Sequence, residues 1–125
     1  MLTATAKVQV YIYRTPVDMR KSFDTLAALV RHGLGRDVLS GDYFLFVAKN
    51  RTRAKVLCWD GTGLCLYSKR LESGHFSAPW QNHEQSVIRM TLPELELFLE
   101  GSSLAGKVLL SPPPFLLTSV KNQRK

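Results

Sequence analysis

The stretch that decides the fold lies between residues 43 and 67 and holds three apolar runs of strand length. These runs are Tyr43-Phe44-Leu45-Phe46-Val47-Ala48, Lys55-Val56-Leu57-Cys58-Trp59 and Leu64-Cys65-Leu66-Tyr67. The connection between the first two is polar and basic, and the last two are joined by Asp60-Gly61-Thr62-Gly63. Two β-prone runs on either side of a glycine-punctuated turn are typical of a hairpin. We therefore predict a β-sheet on which the remaining elements pack.

The register of this hairpin depends on where its turn lies. A two-residue turn at Gly61-Thr62 places Cys58 opposite Cys65 and pairs Trp59 with Leu64. A turn at Asp60-Gly61 separates the two cysteines, because a one-residue slip changes every cross-strand partner. We favour the first register, since it pairs large apolar side chains across the strands.

A strand and a long amphipathic helix are predicted ahead of this stretch. Val8, Val10 and Ile12 alternate with other residues as in a half-buried strand. Thr15-Pro16-Val17-Asp18 then offers an N-cap, a proline for the first helical position and a carboxylate that can return a capping bond. The helix is predicted to end at Gly33 or Gly35. Its core stripe is Met19, Phe23, Leu26, Ala27, Val30 and Leu34.

After the hairpin, the sequence predicts two short strands and a short C-terminal helix. The strands are expected at residues 75–79 and 86–90, and the helix begins with the capping box Thr91-Leu92-Pro93-Glu94. We predict an α+β fold, with a mainly antiparallel sheet, one long helix packed on it and this short helix. Residues 1–101 form one domain, and residues 102–125 form a divergent, partly proline-rich extension.

The composition is that of a globular protein, and its charge distribution suggests a polyanionic partner. Its 125 residues are 45% hydrophobic, enough for one domain with a real core. No apolar run reaches the roughly 20 residues that cross a bilayer, and the N-terminus lacks signal-peptide features, so we expect a cytoplasmic location. The net charge is +7, and all of it lies in residues 1–70, which hold 12 Lys/Arg and 5 Asp/Glu. Such an asymmetry favours a nucleic-acid partner.

The residues that catalysis or metal binding would require do not form a recognisable constellation. The two cysteines, Cys58 and Cys65, are interpreted as half-buried apolar residues, and the three histidines have no ligand spacing. The candidate carboxylates are explained by capping, by the turn and by an exposed helix face. No serine or cysteine has an evident base. We therefore expect a protein without catalytic residues, metal or cofactor, and hence no enzyme.

Basic residues cluster around the tip of the predicted sheet. Lys49, Arg51, Arg53 and Lys55 occupy every second position and would share one face if the strands continued through them. Two further pairs lie at the start of the long helix and at the end of the third strand. The cluster is interpreted either as a solvated surface or as a phosphate-binding face. The DNA-binding candidates are Arg20, Lys21, Lys49, Arg51, Arg53, Lys55, Lys69 and Arg70.

The central strands also suggest a protein interface. Residues 44–47 and 56–59 are apolar on both faces, whereas an antiparallel sheet with one face in water should alternate. Either helices cover both faces, or one face meets another protein. The anchors of such an interface would be Trp59, Tyr67 and Trp80.

Two long motifs identify a family. Residues 16–24, Pro-Val-Asp-Met-Arg-Lys-Ser-Phe-Asp, followed by Leu26-Ala27 and Ser40-Gly41, resemble the accessory protein of bacterial insertion sequences of family sixty-six. Residues 59–67, Trp-Asp-Gly-Thr-Gly-Leu-Cys-Leu-Tyr, and residues 69–76, Lys-Arg-Leu-Glu-Ser-Gly-His-Phe, match its second signature. The family protein is the second open reading frame product, of TnpB type, and the resemblance covers residues 7–101.

The resemblance implies a helper of transposition that accompanies a separate DDE-type transposase. Its implied partners are transposon DNA and that transposase, and no catalytic residue carries over. A protein–protein adaptor that binds the transposase without contacting DNA is the alternative. A second copy of the chain is a further candidate partner. The 102–125 extension departs from the family pattern, which ends soon after Leu99-Glu100-Gly101.

Overall fold

The computed structural model describes residues 8–81 and 88–101, in which a five-stranded sheet carries one helix on each face. The strands are β1 (Val10–Ile12), β2 (Tyr43–Val47), β3 (Arg53–Trp59), β4 (Leu64–Arg70) and β5 (Ile88–Met90). The helices are α1 (Phe23–Leu29), which continues as a π-helical segment through Val30–Leu34, and α2 (Leu92–Phe98). Short 3₁₀ segments lie at Val38–Ser40 and Pro79–Gln81.

The sheet is mixed, with the strand order β4-β3-β2-β1-β5. β1 pairs parallel to β2, and the other three pairings are antiparallel. The α+β prediction is confirmed. The predicted register of the hairpin is confirmed as well, because Cys58 lies opposite Cys65 and Trp59 lies opposite Leu64. The backbone N–H of Asp60 donates to the Gly63 carbonyl at 3.1 Å and closes the turn.

Both faces of the central strands are covered. The first face, the α1 face, packs Phe44, Phe46 and Leu57 against α1 and the residues on either side of it. The second face, the α2 face, packs Leu45, Val56 and their neighbours against α2 and the segment around residues 76–80. All five residues of β2 are buried. The expectation that one apolar face is left open for a partner is therefore wrong for these strands, and a lid formed by residues 102–125 lies outside the described residues.

The first helix begins later than predicted. Its N-cap is Ser22 rather than Thr15, and the helical segment ends at Gly35, which has a φ of 65°. Residues 15–21 form a loop instead, held by a hydrogen bond from the Val17 N–H to the Val47 carbonyl at 3.0 Å. Phe23 consequently occupies the first helical turn and is 42% exposed, so its prediction as a core residue is wrong.

In the C-terminal part of the domain, the elements agree more closely with those predicted from the local sequence. The Thr91 side chain accepts from the Glu94 N–H at 3.2 Å, and Glu94 Oε1 accepts from the Thr91 N–H at 2.8 Å, so the predicted capping box is confirmed. β5 lies within the predicted 86–90 strand, of which residues 86–87 fall outside the described part. The strand predicted at residues 75–79 does not form, and a 3₁₀ segment begins at Pro79. Phe76 is buried there, and its N–H donates to the Arg51 carbonyl at 2.7 Å.

Candidate nucleic-acid interface

Two adjoining depressions lie at the end of the β3–β4 hairpin that is remote from its turn. Their volumes are about 1020 and 410 Å³, and both are lined by Met19, Arg53 and Arg70. We call the pair the basic depression, because six of the eight predicted DNA-binding residues line it. These six are Arg20, Lys49, Arg53, Lys55, Lys69 and Arg70. The remaining two, Lys21 and Arg51, do not line either depression.

At the centre of the basic depression, two arginines face each other across the strands. Arg53, the first residue of β3, lies directly opposite Arg70, the last residue of β4. Side chains at directly opposite positions project from the same face with Cβ atoms about 4.5–5.5 Å apart, and like charges there are destabilising. Both arginines are exposed. The pair concentrates two guanidinium groups at one point of the surface.

Lys55 holds the loop that borders the depression. Its Nζ donates to the main-chain carbonyls of Met19 and Lys21, at 2.9 and 2.8 Å, in a partly buried setting. Hydrogen bonds from a charged donor are among the stronger ones in proteins. Lys55 therefore fixes residues 19–21 against the sheet and positions Arg20. Its ammonium group is engaged inside the protein, although the sequence suggested a phosphate contact.

Arg51 and Lys69 are likewise engaged with the protein's own backbone. Arg51 has a φ of 61°, and its guanidinium donates to the Phe76 carbonyl at 3.2 Å. Lys69 Nζ donates to the Leu99 carbonyl, just past α2, at 2.7 Å. The hypothesis that residues 49, 51, 53 and 55 share one face is wrong, because β3 begins only at Arg53. Strand alternation applies to Arg53 and Lys55 alone, and both lie on the α1 face.

Two carboxylates accompany the exposed arginines. Asp18 Oδ2 accepts from Arg20 at 2.7 Å, and Glu72 Oε2 accepts from Arg70 at 3.1 Å. The Arg20 side chain and backbone N–H hold the pKa of Asp18 well below its usual value. Asp18 thus closes a turn within the loop rather than capping a helix. Exposed ion pairs of this kind are weak, so both arginines remain available to another anion.

Comparison with known proteins assigns the family. The family model described as "IS66 Orf2 like protein" matches residues 8–108. The chain belongs to this family. Two proteins of Sinorhizobium fredii (strain NBRC 101917 / NGR234) are similar to it. One, "Uncharacterized protein y4jC", is 34% identical over 101 residues, covering 81% of this chain and 85% of that protein. The other, "Uncharacterized protein y4hO", is 35% identical over 101 residues, covering 81% and 86%. No solved structure gives a significant match.

In this IS66 Orf2-like chain, the Asp60 carboxylate at the turn end of the hairpin is satisfied by hydrogen bonds from the turn and from Cys65. Asp60 Oδ1 accepts from the N–H groups of Thr62 and Gly63, at 2.9 and 3.0 Å, which lowers the pKa of Asp60 from 3.8 to about 2. Cys65 Sγ donates to Asp60 Oδ2 at 3.4 Å, and this contact raises the pKa of the Cys65 thiol. Burial raises the pKa of the Cys58 thiol. Both thiols are therefore neutral at pH 7, as expected for cysteines that act as apolar residues.

The three aromatic residues predicted as interface anchors do not form one surface. Tyr67 lies opposite Val56 and projects from the α2 face, where it is 43% exposed. Trp59 lies opposite Leu64, on the α1 face, and is half-buried. Trp80 packs against the core of the α2 face. Of the three, Tyr67 is the exposed one, and it lies on β4, at one end of the strand order.

The described residues offer neither a cluster of metal-binding side chains nor a helix that could span a membrane. Within residues 8–81 and 88–101, no group of three or more His, Cys, Asp or Glu side chains could hold a metal ion. No helix in that part of the chain is long and apolar enough to cross a membrane.

Proposed function

We propose that this IS66 Orf2-like protein is a non-catalytic accessory factor of insertion-sequence transposition that associates with transposon DNA through the basic depression. The observation that carries the proposal is the convergence of basic side chains from three separate parts of the chain. Arg20 comes from the loop before α1, Arg53 from β3 and Arg70 from β4. Clustered Lys and Arg side chains supply most of the non-specific affinity for nucleic acid. Membership of the family supplies the link to transposition.

A binding role also agrees with how the candidate reactive groups are used. Asp18 and Asp60 accept hydrogen bonds from nearby backbone N–H groups. The raised pKa values of Cys58 and Cys65 disfavour the thiolate that nucleophilic catalysis requires. We infer that the protein acts by holding partners together, in the cytoplasm, where the element's DNA and its DDE-type transposase would meet.

The second candidate function is a protein–protein adaptor that binds the transposase without touching DNA. The observation in its favour is Tyr67, a large side chain that is 43% exposed on a strand at one end of the described sheet. An exposed tyrosine on a strand that no described strand pairs on its outer side suits a partner that adds a strand or packs an aromatic group. A second copy of the chain could use the same edge.

Binding to a transposon-end duplex, with and without transposase and over a salt series, tests the proposal. The wild-type chain should bind the duplex alone, and the double variant Arg53→Gln/Arg70→Gln should bind more weakly and with a flatter salt dependence. Arg89→Gln, at an exposed position on β5 at the opposite edge of the sheet, is the control for loss of one positive charge away from the depression. If the chain binds only when transposase is present, and Tyr67→Lys abolishes that binding while Arg53→Gln/Arg70→Gln does not, the adaptor function replaces the first.

A further inference from the structure

Among the described residues that line the basic depression, none has an aromatic side chain. Its apolar floor comes from Pro16, Val17, Met19 and Ala48, and its remaining lining is polar or charged. Proteins that bind single-stranded nucleic acid without sequence preference stack bases on aromatic rings. Protein interfaces likewise concentrate their affinity in aromatic anchors and arginine. Neither single-strand stacking nor an aromatic protein anchor is therefore provided by this surface.

Two of the three neutral polar side chains that line the depression, Asn50 and Thr52, are occupied in a turn, and the third is Ser68. Thr52 donates to Asn50 Oδ1 through both its backbone N–H and its hydroxyl, at 3.1 and 3.0 Å. Asparagine is one of the residues that read adenine through paired hydrogen bonds, which requires a free amide. Because the Asn50 oxygen is committed to Thr52, the amide cannot make that paired contact without breaking the turn.

What remains in the depression is a set of cations that are not tied to the protein's backbone carbonyls. These are Arg20, Lys49, Arg53 and Arg70, which are all exposed. Lys55 and Lys69 are excluded, because their ammonium groups donate to main-chain carbonyls. Arg53 and Arg70 are presented by the strand pair, Arg20 by the loop that Lys55 fixes, and Lys49 by the connection between β2 and β3. Arg20 and Arg70 also pair with the exposed carboxylates Asp18 and Glu72. Such an arrangement is preorganised for phosphate oxygens, which arginine binds in a paired geometry.

We propose that the basic depression is a sequence-independent site for the phosphate backbone of duplex DNA, with about four phosphate contacts. This inference rests on the proposed association with DNA and specifies which form of DNA is bound and through which groups. The chain then anchors a transposition complex on double-stranded DNA, and recognition of the transposon end must come from outside the basic depression. An acidic protein surface is the competing ligand for the same cations, and it becomes an outcome of the test.

Three DNA probes of equal length test the inference with the full chain: a transposon-end duplex, a scrambled duplex and the single strand of the end sequence. The two duplexes should bind within about twofold of each other, since backbone contacts carry no sequence information. The single strand should bind more weakly. On duplex DNA, four contacts should contribute about 3.6 to the magnitude of the log–log salt slope, and Arg53→Gln/Arg70→Gln should remove about 1.8 of it equally on both duplexes.

A variant that removes a negative charge from the depression provides a second test. Glu72→Gln removes the carboxylate that accepts from Arg70 at 3.1 Å. It should raise duplex affinity by no more than about fivefold, because an exposed ion pair is weak. Arg89→Gln should leave the affinity ratios between probes unchanged, and thermal melting of each variant separates lost binding from lost folding.

Several results would overturn the inference. A preference for the transposon end of roughly tenfold or more would indicate base readout, since each mismatched pair in a read site costs about fivefold or more. A tighter single-strand complex would indicate base stacking elsewhere on the chain. Both results leave the proposed DNA association in place. A third result would also overturn the proposed DNA association. In that case none of the three probes binds at low salt, and the chain binds transposase in a way that Arg53→Gln/Arg70→Gln abolishes. The depression would then be a protein-binding site.

Discussion

The two ends of the β3–β4 hairpin differ in how far their side chains satisfy one another. At the turn end, Trp59 pairs with Leu64, and Asp60 accepts two backbone N–H groups of its own turn. At the remote end, Arg53 faces Arg70 across the same pair of strands. The register is identical throughout, so the difference lies in the side chains alone.

This difference shows where stability and binding are concentrated. Opposite apolar pairs and a satisfied turn stabilise the turn end, whereas like charges at directly opposite positions destabilise the remote end. Local departures from stable pairing are expected at functional sites. The remote end, with its fixed loop and its exposed arginines, therefore has the properties of a surface that binds an external anion.

The largest expected effect on stability comes from truncating a buried side chain in the middle of the hairpin, between its two ends. Leu57 is fully buried on β3, and Leu57→Ala should lower the free energy of unfolding by about 2–5 kcal/mol. Urea denaturation measures this loss. Phe23→Ala is the comparison, because Phe23 is 42% exposed and should cost less than the 3–5 kcal/mol of a buried phenylalanine. Equal losses in the two variants would contradict the described packing of α1.

The next effect is confined to the remote end. Lys55→Met removes the ammonium that donates to the Met19 and Lys21 carbonyls, and should cost about 1.5–3 kcal/mol, the range for hydrogen bonds to charged groups. It should also weaken DNA binding, because Arg20 loses its support. Lys49→Met is the matched control for stability, since Lys49 is exposed and makes no hydrogen bond within the described residues. Equal stability of the two variants would show that the Lys55 hydrogen bonds do not stabilise the loop at residues 19–21.

The hairpin was predictable from the sequence because its signals are local. Apolar runs on either side of a glycine turn favoured the pairing of Cys58 with Cys65, and the capping box placed Thr91 at the start of α2. Both outcomes depend on residues close together in the chain. The basic cluster was also recognisable, since it is a property of composition.

The loop before α1 was not predictable, although Thr15 and Pro16 are good residues with which to begin a helix. Its conformation depends on contacts with distant strands, from Val17 to β2 and from Lys55 to the loop carbonyls. Tertiary contacts of this kind override local propensity. The same contacts separated the predicted DNA-binding lysines and arginines into those that face solvent and those that bind the protein's own backbone.

A smaller effect should appear at the turn end and should depend on pH. The folded-state pKa of Asp60 is about 2, below its usual 3.8, so its ionised form stabilises the fold above about pH 4 and that contribution is lost as the pH falls through 2. Asp60→Asn has no such titration. The difference in urea midpoint between wild type and this variant should therefore shrink from pH 5 to pH 2. A difference that stays constant would show that the Asp60 charge does not stabilise the turn.

The smallest expected effect is a gain in stability, and it tests the comparison most directly. Arg53→Gln removes one member of the like-charged pair while keeping a long polar side chain, and Arg53 makes no side-chain hydrogen bond within the described residues. Stability should rise by about 0.2–1 kcal/mol at low ionic strength, and the gain should diminish with added salt, which screens the repulsion. Urea midpoints at two salt concentrations measure it, with Arg89→Gln as the control for the change in net charge. The same Arg53→Gln protein should bind duplex DNA more weakly, so that stability and binding change in opposite directions. A loss of stability would mean that Arg53 supports the fold, and the remote end of the hairpin would then no longer differ from the turn end.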